Sequence, residues 1–324
     1  MSSKPRILIT RRWPAAVEAR MAERFEMTLN QSDRPLQAEE IRDALGRFDA
    51  VLPTVTDKLP EAVFDLPKVQ ARILANYGVG YSHIDVGAAA RHGLIVTNTP
   101  DVLSECTADI AMTLMLMVAR RAGEGERELR AGEWTGWRPT HMIGTKVSGA
   151  TLGIVGFGRI GQAMAQRAHH GFGMKILVQN RSAVAPEVLA RYGATQVATV
   201  DDLLPQCDFV SLHCPGGAAN RHLIDARRLG LMRPDAFLIN TARGEVVDEA
   251  ALARALAARA IGGAGLDVFE KEPAITPELL DCPSLVMLPH LGSATRATRE
   301  AMGFRVMDNL VDFFEGRPPR DRVA

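Results

Sequence analysis

Four cysteines are all that the 324 residues carry, Cys106, Cys207, Cys214 and Cys282, and no two stand in C-x-x-C spacing. That density builds no disulfide scaffold, so free thiols in a reducing cytoplasm are expected, and no metal site. An excess of one charge is also missing. With 38 Lys and Arg against 38 Asp and Glu and no long run of either sign, nothing points to a polyanion-binding surface, and nucleic acid is not expected as a partner. No apolar run is long enough to span a bilayer. The longest, Ile110 to Ala119, is interrupted by Thr113, preceded by Asp109 and followed by Arg120-Arg121, and it reads as a buried or interface helix. Met1 to Pro5 has neither the charged start nor the apolar middle of a signal peptide and runs directly into the strand-like Arg6 to Thr10. The mature protein is therefore expected to begin where the gene does. No short-period repeat or low-complexity tract appears. The length exceeds one ordinary core and suits two domains of about 150 residues each, with a cleft between them.

What is present is a glycine-rich turn at mid-chain. Gly156-Phe157-Gly158-Arg159-Ile160-Gly161 follows the apolar run Leu152 to Val155 and opens the helix-like stretch Gln162 to His170. Strand before and helix after are the context that the Rossmann dinucleotide fingerprint requires. Gly156 permits the tight turn, Gly158 the approach of a pyrophosphate, and Gly161 the close packing of helix on strand. Free N–H groups at the helix start would hold the phosphates.

Around this turn the chain reads as a parallel α/β protein. Strands are expected at Arg6 to Thr10, Phe25 to Leu29, Asp49 to Leu52, Arg72 to Ala75 and Leu94 to Thr97. A long helix from Ser104 to Ala131 and a loop from Gly132 to Gly149 then lead to a second set of strands. These are Leu152 to Val155, Lys175 to Val178, Phe209 to His213, Phe237 to Asn240, Gly263 to Leu266 and Leu285 to Leu288. In the tail, Met302, Val306, Leu310 and Phe313 mark one helical face, expected to return over the first domain. The division expected is 1–100, completed by 291–324, and 101–290.

In this fold the second strand ends near the adenosine ribose, where an acid would bind the 2′-hydroxyl of NAD. Here that strand ends in Gln179-Asn180-Arg181-Ser182, with Asn180 lying 19 residues beyond Gly161, and the acid is absent. An arginine can pair with a 2′-phosphate and a serine hydroxyl can donate to it. NADPH is therefore expected over NADH, with NADH as a weaker alternative. The plainer reading of Arg181 is a solvated loop residue.

Three segments end strands at the carboxyl edge, where ligands of open α/β sheets bind. They are Asn240-Thr241-Ala242-Arg243-Gly244, then Gly265 to Phe269 leading into Glu270-Lys271-Glu272-Pro273, and Leu288-Pro289-His290-Leu291-Gly292-Ser293. An arginine, a carboxylate and a histidine thus converge. Singly, Arg243 reads as a cap or ion pair, Glu272 as a turn carboxylate and His290 as packing after a proline.

With these motifs the chain resembles, over nearly its whole length, the D-isomer-specific 2-hydroxyacid dehydrogenase family. It also carries Asn76-Tyr77-Gly78-Val79-Gly80-Tyr81 with Ile84-Asp85, Thr99-Pro100-Asp101, Thr107-Ala108-Asp109 and His213-Cys214-Pro215. The wording is similar to the glyoxylate and hydroxypyruvate reductase branch. The resemblance implies a flavodoxin-like substrate-binding domain over 1–100 and 291–324 and a Rossmann domain over 101–290. It implies that Arg243 holds the substrate's carboxylate and carbonyl oxygen, and that His290 donates the proton to that oxygen as hydride arrives. Glu272 would fix the histidine's tautomer and favour its protonated form. Val79 and Gly80 would receive the carboxylate, while Thr107 and Asp267 would approach the cofactor, although Asp267 equally reads as a cap. The cofactor set is completed by Phe157, Arg159, Ile160, Asn180, Arg181, Ser182, His213, Cys214, Pro215, Thr241 and Ala242.

The reaction implied is NADPH-dependent reduction of a small 2-keto acid, glyoxylate or hydroxypyruvate favoured, to the D-2-hydroxy acid. Formate and phosphite dehydrogenases share the fold, but the formate enzymes place glutamine where this chain has Glu272. A dinucleotide-sensing corepressor or scaffold is the other class, which the intact Arg243, Glu272 and His290 set disfavours. The methionine-rich segment Ala108 to Val118 is a candidate homodimer face. Two departures from the family stand out: Ala150 where lysine is usual, and Pro215-Gly216-Gly217 where bulkier residues are usual, which would loosen the loop beside the adenosine. Cys214 beside His213 suggests a nucleophile, but adjacent strand residues face opposite ways. Leu52, Trp137 and Met142 are guesses at the wall facing the far side of the substrate.

Overall fold

The structure is a computed structural model and describes residues 4–324. The chain divides into two compact units, Met1–Leu103 with Ala294–Ala324, and Ser104–Ser293.

The first unit is a five-stranded parallel sheet: β1 (Arg6–Ile9), β2 (Glu26–Leu29), β3 (Ala50–Leu52), β4 (Ile73–Ala75) and β5 (Ile95–Thr97), in the order β2-β1-β3-β4-β5. The central strands are short all-apolar runs buried on both faces, the pattern that parallel sheets covered by helices demand. The tail forms the helix Arg296–Phe314, whose Met302, Val306 and Leu310 are buried. Gly303 on that helix meets Val17 of helix Ala15–Ala22 with no room for a side chain, which brings the two backbones together. Phe313 is only partly buried and takes the Arg72 guanidinium over its ring at 5.2 Å. The chain end then pairs with the edge strand, Val323 N–H donating to the Val96 carbonyl at 2.8 Å.

The second unit is a seven-stranded parallel sheet: β6 (Thr151–Val155), β7 (Lys175–Gln179), β8 (Ala194–Gln196), β9 (Phe209–Leu212), β10 (Phe237–Asn240), β11 (Gly263–Leu266) and β12 (Leu285–Met287). Its order is β12-β11-β10-β9-β6-β7-β8, so connections run one way from β6 and the other way from β9. The crevice outside the carboxyl ends of β6 and β9 is the topological switch point where such sheets bind ligands. Two apolar layers sandwich the sheet, one including Leu203, Leu252 and Leu279, the other Met115, Met164 and Ala168.

Three local features differ from the sequence reading. The helix expected from Ser104 to Ala131 is two helices, Ser104–Ala119 and Ala122–Ala131, because Arg121 adopts φ 51° between them. The helix after the glycine turn begins at Arg159, and beyond Gln166 it widens into a π-turn over Arg167–Gly171. β8 was not expected: Ala-Thr-Gln carries neither a hydrophobic run nor branched apolar residues, and it forms by pairing with β7. Among the described residues no helix is long and apolar enough to cross a membrane.

Candidate active site

The carboxyl edge of the second sheet is built from close backbone contacts. Gly156 has φ 91°, and a Cβ on it would stand 2.7 Å from the Cys214 nitrogen, so the ends of β6 and β9 are pressed together. Gly161 lies against the Gly156 carbonyl, which seats helix Arg159–Gln166 on its strand. Gly158 faces open space. Two glycines are thus consumed by packing, and the middle one leaves the backbone accessible beside the first-turn amides of Ile160 and Gly161, which have no intrahelical acceptor. An anion fits there.

Around this cradle, Phe157 is buried with its ring edge-on to Tyr192 at 5.9 Å, and its N–H donates to Asn180 Oδ1 at 3.1 Å. Asn180 Nδ2 donates to the Ser182 carbonyl and hydroxyl at 3.1 and 3.3 Å. The β7 end is therefore laced to the glycine turn. Arg181 is exposed, and its guanidinium has no ion pair or hydrogen bond among the described residues. Across the switch point, His213 shares a hydrogen bond with Ser211 through Nε2 at 2.9 Å, while its Nδ1 is buried without a partner. Burial pushes His213 down to about 4, so it is a neutral imidazole at neutral pH. Burial pushes the Cys214 thiol up to about 11, which denies it the thiolate that nucleophilic chemistry needs. The Pro215 carbonyl accepts from Asn220 at 2.8 Å.

At the end of β10, Asn240 braces the turn: its Oδ1 accepts the Ala242 N–H at 3.0 Å and its Nδ2 donates to the Arg243 carbonyl at 2.9 Å. The Thr241 hydroxyl is buried without a partner. Arg243 donates to the Ala242 carbonyl at 2.6 Å. Burial pulls the pKa of its guanidinium down while Glu272 and Glu245 push it back up, and the group stays a cation at neutral pH.

At the ends of β11 and β12 the acid and the imidazole meet. His290 Nδ1 lies 2.8 Å from Glu272 Oε2, and Glu272 Oε1 accepts the Phe269 N–H at 3.0 Å. Burial alone would raise the Glu272 pKa, but the hydrogen bond and charge of His290, the Phe269 N–H and the Arg243 charge outweigh it and hold the carboxyl below the ordinary glutamate value. His290 sits at φ 55°, a left-handed backbone region uncommon for residues other than glycine. Asp267 holds it there, its two oxygens accepting the Leu291 and Gly292 N–H groups at 2.7 Å each. Thr107 closes the same turn from helix Ser104–Ala119 by donating to the Gly292 carbonyl at 3.2 Å.

Arg243, Glu272 and His290 are thus brought to one place. Asp267 and Thr107 stand behind the histidine, bonded to its turn. Val79 and Gly80 lie in the first unit. There Asn76 takes the carbonyls of Gly78 and Gly80 at 2.9 and 3.1 Å, Asn98 takes that of Val79 at 2.8 Å, and no described group accepts from the Val79 or Gly80 N–H. Leu52 is buried in β3 with no exposed surface and is no wall for a ligand, and Trp137 is 82% exposed. Met142 is partly buried at φ 48°. Sequence reasoning missed Ser211, Asn240, Gly244 and Glu245. A polar residue two positions before a site residue on the same strand was the available signal for Ser211.

The cradle at Gly158, the start of the helix beside it and the buried unpartnered groups of Thr241 and His213 fit a dinucleotide, and the Arg243, Glu272 and His290 cluster fits hydride transfer to a carbonyl beside a carboxylate. Residues 112–292 match the family of D-isomer specific 2-hydroxyacid dehydrogenases in its NAD-binding domain. The chain belongs to that family and is an NAD(P)-dependent oxidoreductase with a nicotinamide dinucleotide cofactor. It is 43% identical to a glyoxylate reductase of Thermococcus onnurineus over 98% of this chain and 95% of that one, and 36% identical to a glycerate dehydrogenase of Hyphomicrobium methylovorum over 97% of each. Among solved structures it is similar to an NADPH-dependent glyoxylate/hydroxypyruvate reductase from Sinorhizobium meliloti in complex with NADP and malonate. That likeness has a TM-score of 0.88 and 36% identity, and covers 99% of this chain and 97% of the other.

Proposed function

We propose that this protein reduces a small 2-keto acid, glyoxylate or hydroxypyruvate, to the D-2-hydroxy acid with NADPH. The observation that carries the reading is the 2.8 Å pairing of His290 Nδ1 with Glu272 beside the Arg243 cation. Arg243 holds the substrate through its carboxylate and opposes the charge that grows on the carbonyl oxygen. Glu272 occupies Nδ1, which leaves Nε2 of His290 as the nitrogen that passes a proton to that oxygen. When bound, the dinucleotide supplies the hydride. In the first unit, the unpaired amides of Val79 and Gly80 are candidates for the substrate carboxylate.

The preference for NADPH rests on Arg181, an exposed cation without a partner among the described residues, and on the absence of an acid at the end of β7. The similar Sinorhizobium meliloti enzyme is itself named for NADPH. The substrate rests on the names of the similar enzymes together with the clamp chemistry of Arg243. A homodimer is part of the reading. The segment Ala108 to Val118, expected as the dimer face, has Ala108, Ala111, Leu114 and Met115 buried in the core of its own unit, so the face is read instead at Trp134, Trp137 and Ile143, exposed at 50, 82 and 68%, which a second copy of the chain would cover. Sedimentation giving only monomer would retire that part.

A panel of glyoxylate, hydroxypyruvate, pyruvate and 2-ketogluconate, each assayed with NADPH and NADH, tests the rest. Turnover of glyoxylate or hydroxypyruvate with the higher kcat/KM for NADPH is expected. A clear preference for NADH would refute the cofactor assignment, and no turnover of any of the four would refute the reaction.

A further inference from the structure

We propose that Glu245 is a positioning residue that ties the loop after β9 to the Arg243 turn and weakens the field that the arginine offers an incoming anion. This rests on the reading of Arg243 as the carboxylate clamp.

Glu245 is joined to the loop after β9 by two hydrogen bonds. Its Oε1 accepts the Gly217 N–H at 2.6 Å, and its backbone carbonyl accepts the His222 N–H at 2.8 Å. The side chain reaches Gly217 by passing over Gly216. A Cβ at Gly216 would collide with Glu245 Oε1 and would lie 3.0 Å from Arg243 Cγ and 3.3 Å from Arg243 Cβ. Gly217 is at φ 101°, which suits glycine alone. The pair Gly216-Gly217, expected to loosen this loop, is instead the shape that lets a carboxylate pin it. The same contacts place that carboxylate against the stem of Arg243, giving the one cation two acidic neighbours, Glu245 and Glu272.

The two sites joined are adjacent by construction. The loop after β9 begins at Cys214, which packs against Gly156 of the dinucleotide turn, and the Arg243 turn follows the neighbouring strand β10. A tether between them couples the cofactor side of the edge to the substrate side. Its two contributions separate chemically. The hydrogen bond to Gly217 needs only an acceptor oxygen, which glutamine retains. The opposing field at Arg243 needs the negative charge, which glutamine lacks.

The test measures dinucleotide Kd by calorimetry without keto acid, with both NADPH and NADH, and the KM for glyoxylate, in Glu245→Gln, Glu245→Ala, Gly216→Ala and the Glu245→Ala/Gly216→Ala double variant. Glu245→Ala is expected to weaken dinucleotide binding about tenfold, the scale of a lost charge-assisted hydrogen bond. Glu245→Gln is expected to keep Kd within about twofold and to lower the KM for glyoxylate about threefold or more, since Arg243 loses a competing charge. Gly216→Ala evicts the same carboxylate, so the double variant is expected to bind dinucleotide no worse than the weaker single. Additive losses in the double variant, or an unchanged Kd in Glu245→Ala, would overturn the tether. A KM unchanged or raised in Glu245→Gln would overturn the field. If the parent turns over no glyoxylate, the reading of the reaction fails, and the Kd cycle still decides the tether.

Discussion

Gly244 lies so close to Phe269 that a methyl group on the glycine would coincide with the Phe269 carbonyl. Arg243 precedes the glycine and Glu272 follows the phenylalanine by three residues, so this contact of two backbones sets how near the cation comes to the carboxylate. Gly244→Ala must push the β10 and β11 loops apart. Because the obstacle is backbone and not a mobile side chain, relief requires a shift of a whole turn, costing about 3 kcal/mol. Denaturant titration and kcat/KM are expected to fall together. A parent-like midpoint with parent-like activity would mean that the contact is not tight in solution.

His290 holds φ 55°, a left-handed conformation that asparagine adopts at least as readily as histidine. His290→Asn is therefore expected to melt at or slightly above the parent temperature while kcat falls about a hundredfold, the scale of a lost general acid. Thermal melting and steady-state assays read the two effects separately. A variant that is much less stable would place the strain elsewhere, and one that keeps its rate would remove His290 from proton transfer.

The strands could be read from sequence because parallel strands are short, apolar and buried on both faces, and the glycine turn because its spacing is itself the geometry. The central strands follow that rule, whereas the edge strands β2, Glu-Met-Thr-Leu, and β8, Ala-Thr-Gln, contain no fully buried residue. Arg121 was illegible as a helix break because nothing in Arg120-Arg121 forbids a helix, and the turn is imposed by the chain's return at Thr145, whose N–H bonds the Ala119 carbonyl at 2.7 Å. In the candidate site, residues with their own chemistry stood out, namely Arg243, Glu272 and His290. Gly244 and Gly216 did not, since their importance lies in what a side chain would strike on a strand far off in sequence. Leu52 misled for the converse reason: it stands at a strand end, but its side chain has no exposed surface.

Asp267 spends both oxygens on the Leu291 and Gly292 N–H groups. Asparagine offers one acceptor and points a donor at the other N–H, so Asp267→Asn leaves a buried donor unmatched at about 1–3 kcal/mol. The turn that carries His290 loosens, and kcat is expected to drop more than dinucleotide affinity. Calorimetric binding beside steady-state rates separates the two. A loss confined to dinucleotide Kd would instead assign Asp267 to the cofactor.

Arg181 has no partner among the described residues to release when a phosphate arrives, so its whole charge is available to a 2′-phosphate. Arg181→Ala is expected to lower kcat/KM for NADPH about tenfold, as for one exposed charge-assisted pair, and to leave NADH within about twofold. Equal losses with both cofactors would make Arg181 a structural loop residue.

Glu272 sets a pH dependence whose sign follows from its lowered folded pKa. The folded carboxyl binds fewer protons than the unfolded one, whose value is 4.5, so its ionised form stabilises the fold above that pH. That contribution is lost as pH falls through 4.5 toward the lower folded value. Glu272→Gln has no such group. Its melting temperature is therefore expected to lie below the parent's at neutral pH and to converge on it as pH falls below 4.5. Glutamine also presents a carbonyl or an amide to His290 Nδ1 but no charge, so kcat falls at neutral pH while glyoxylate KM changes less. Melting curves for both proteins across that range decide the point. A gap that stays constant or widens on acidification would mean that Glu272 is not ionised against His290 in the folded protein.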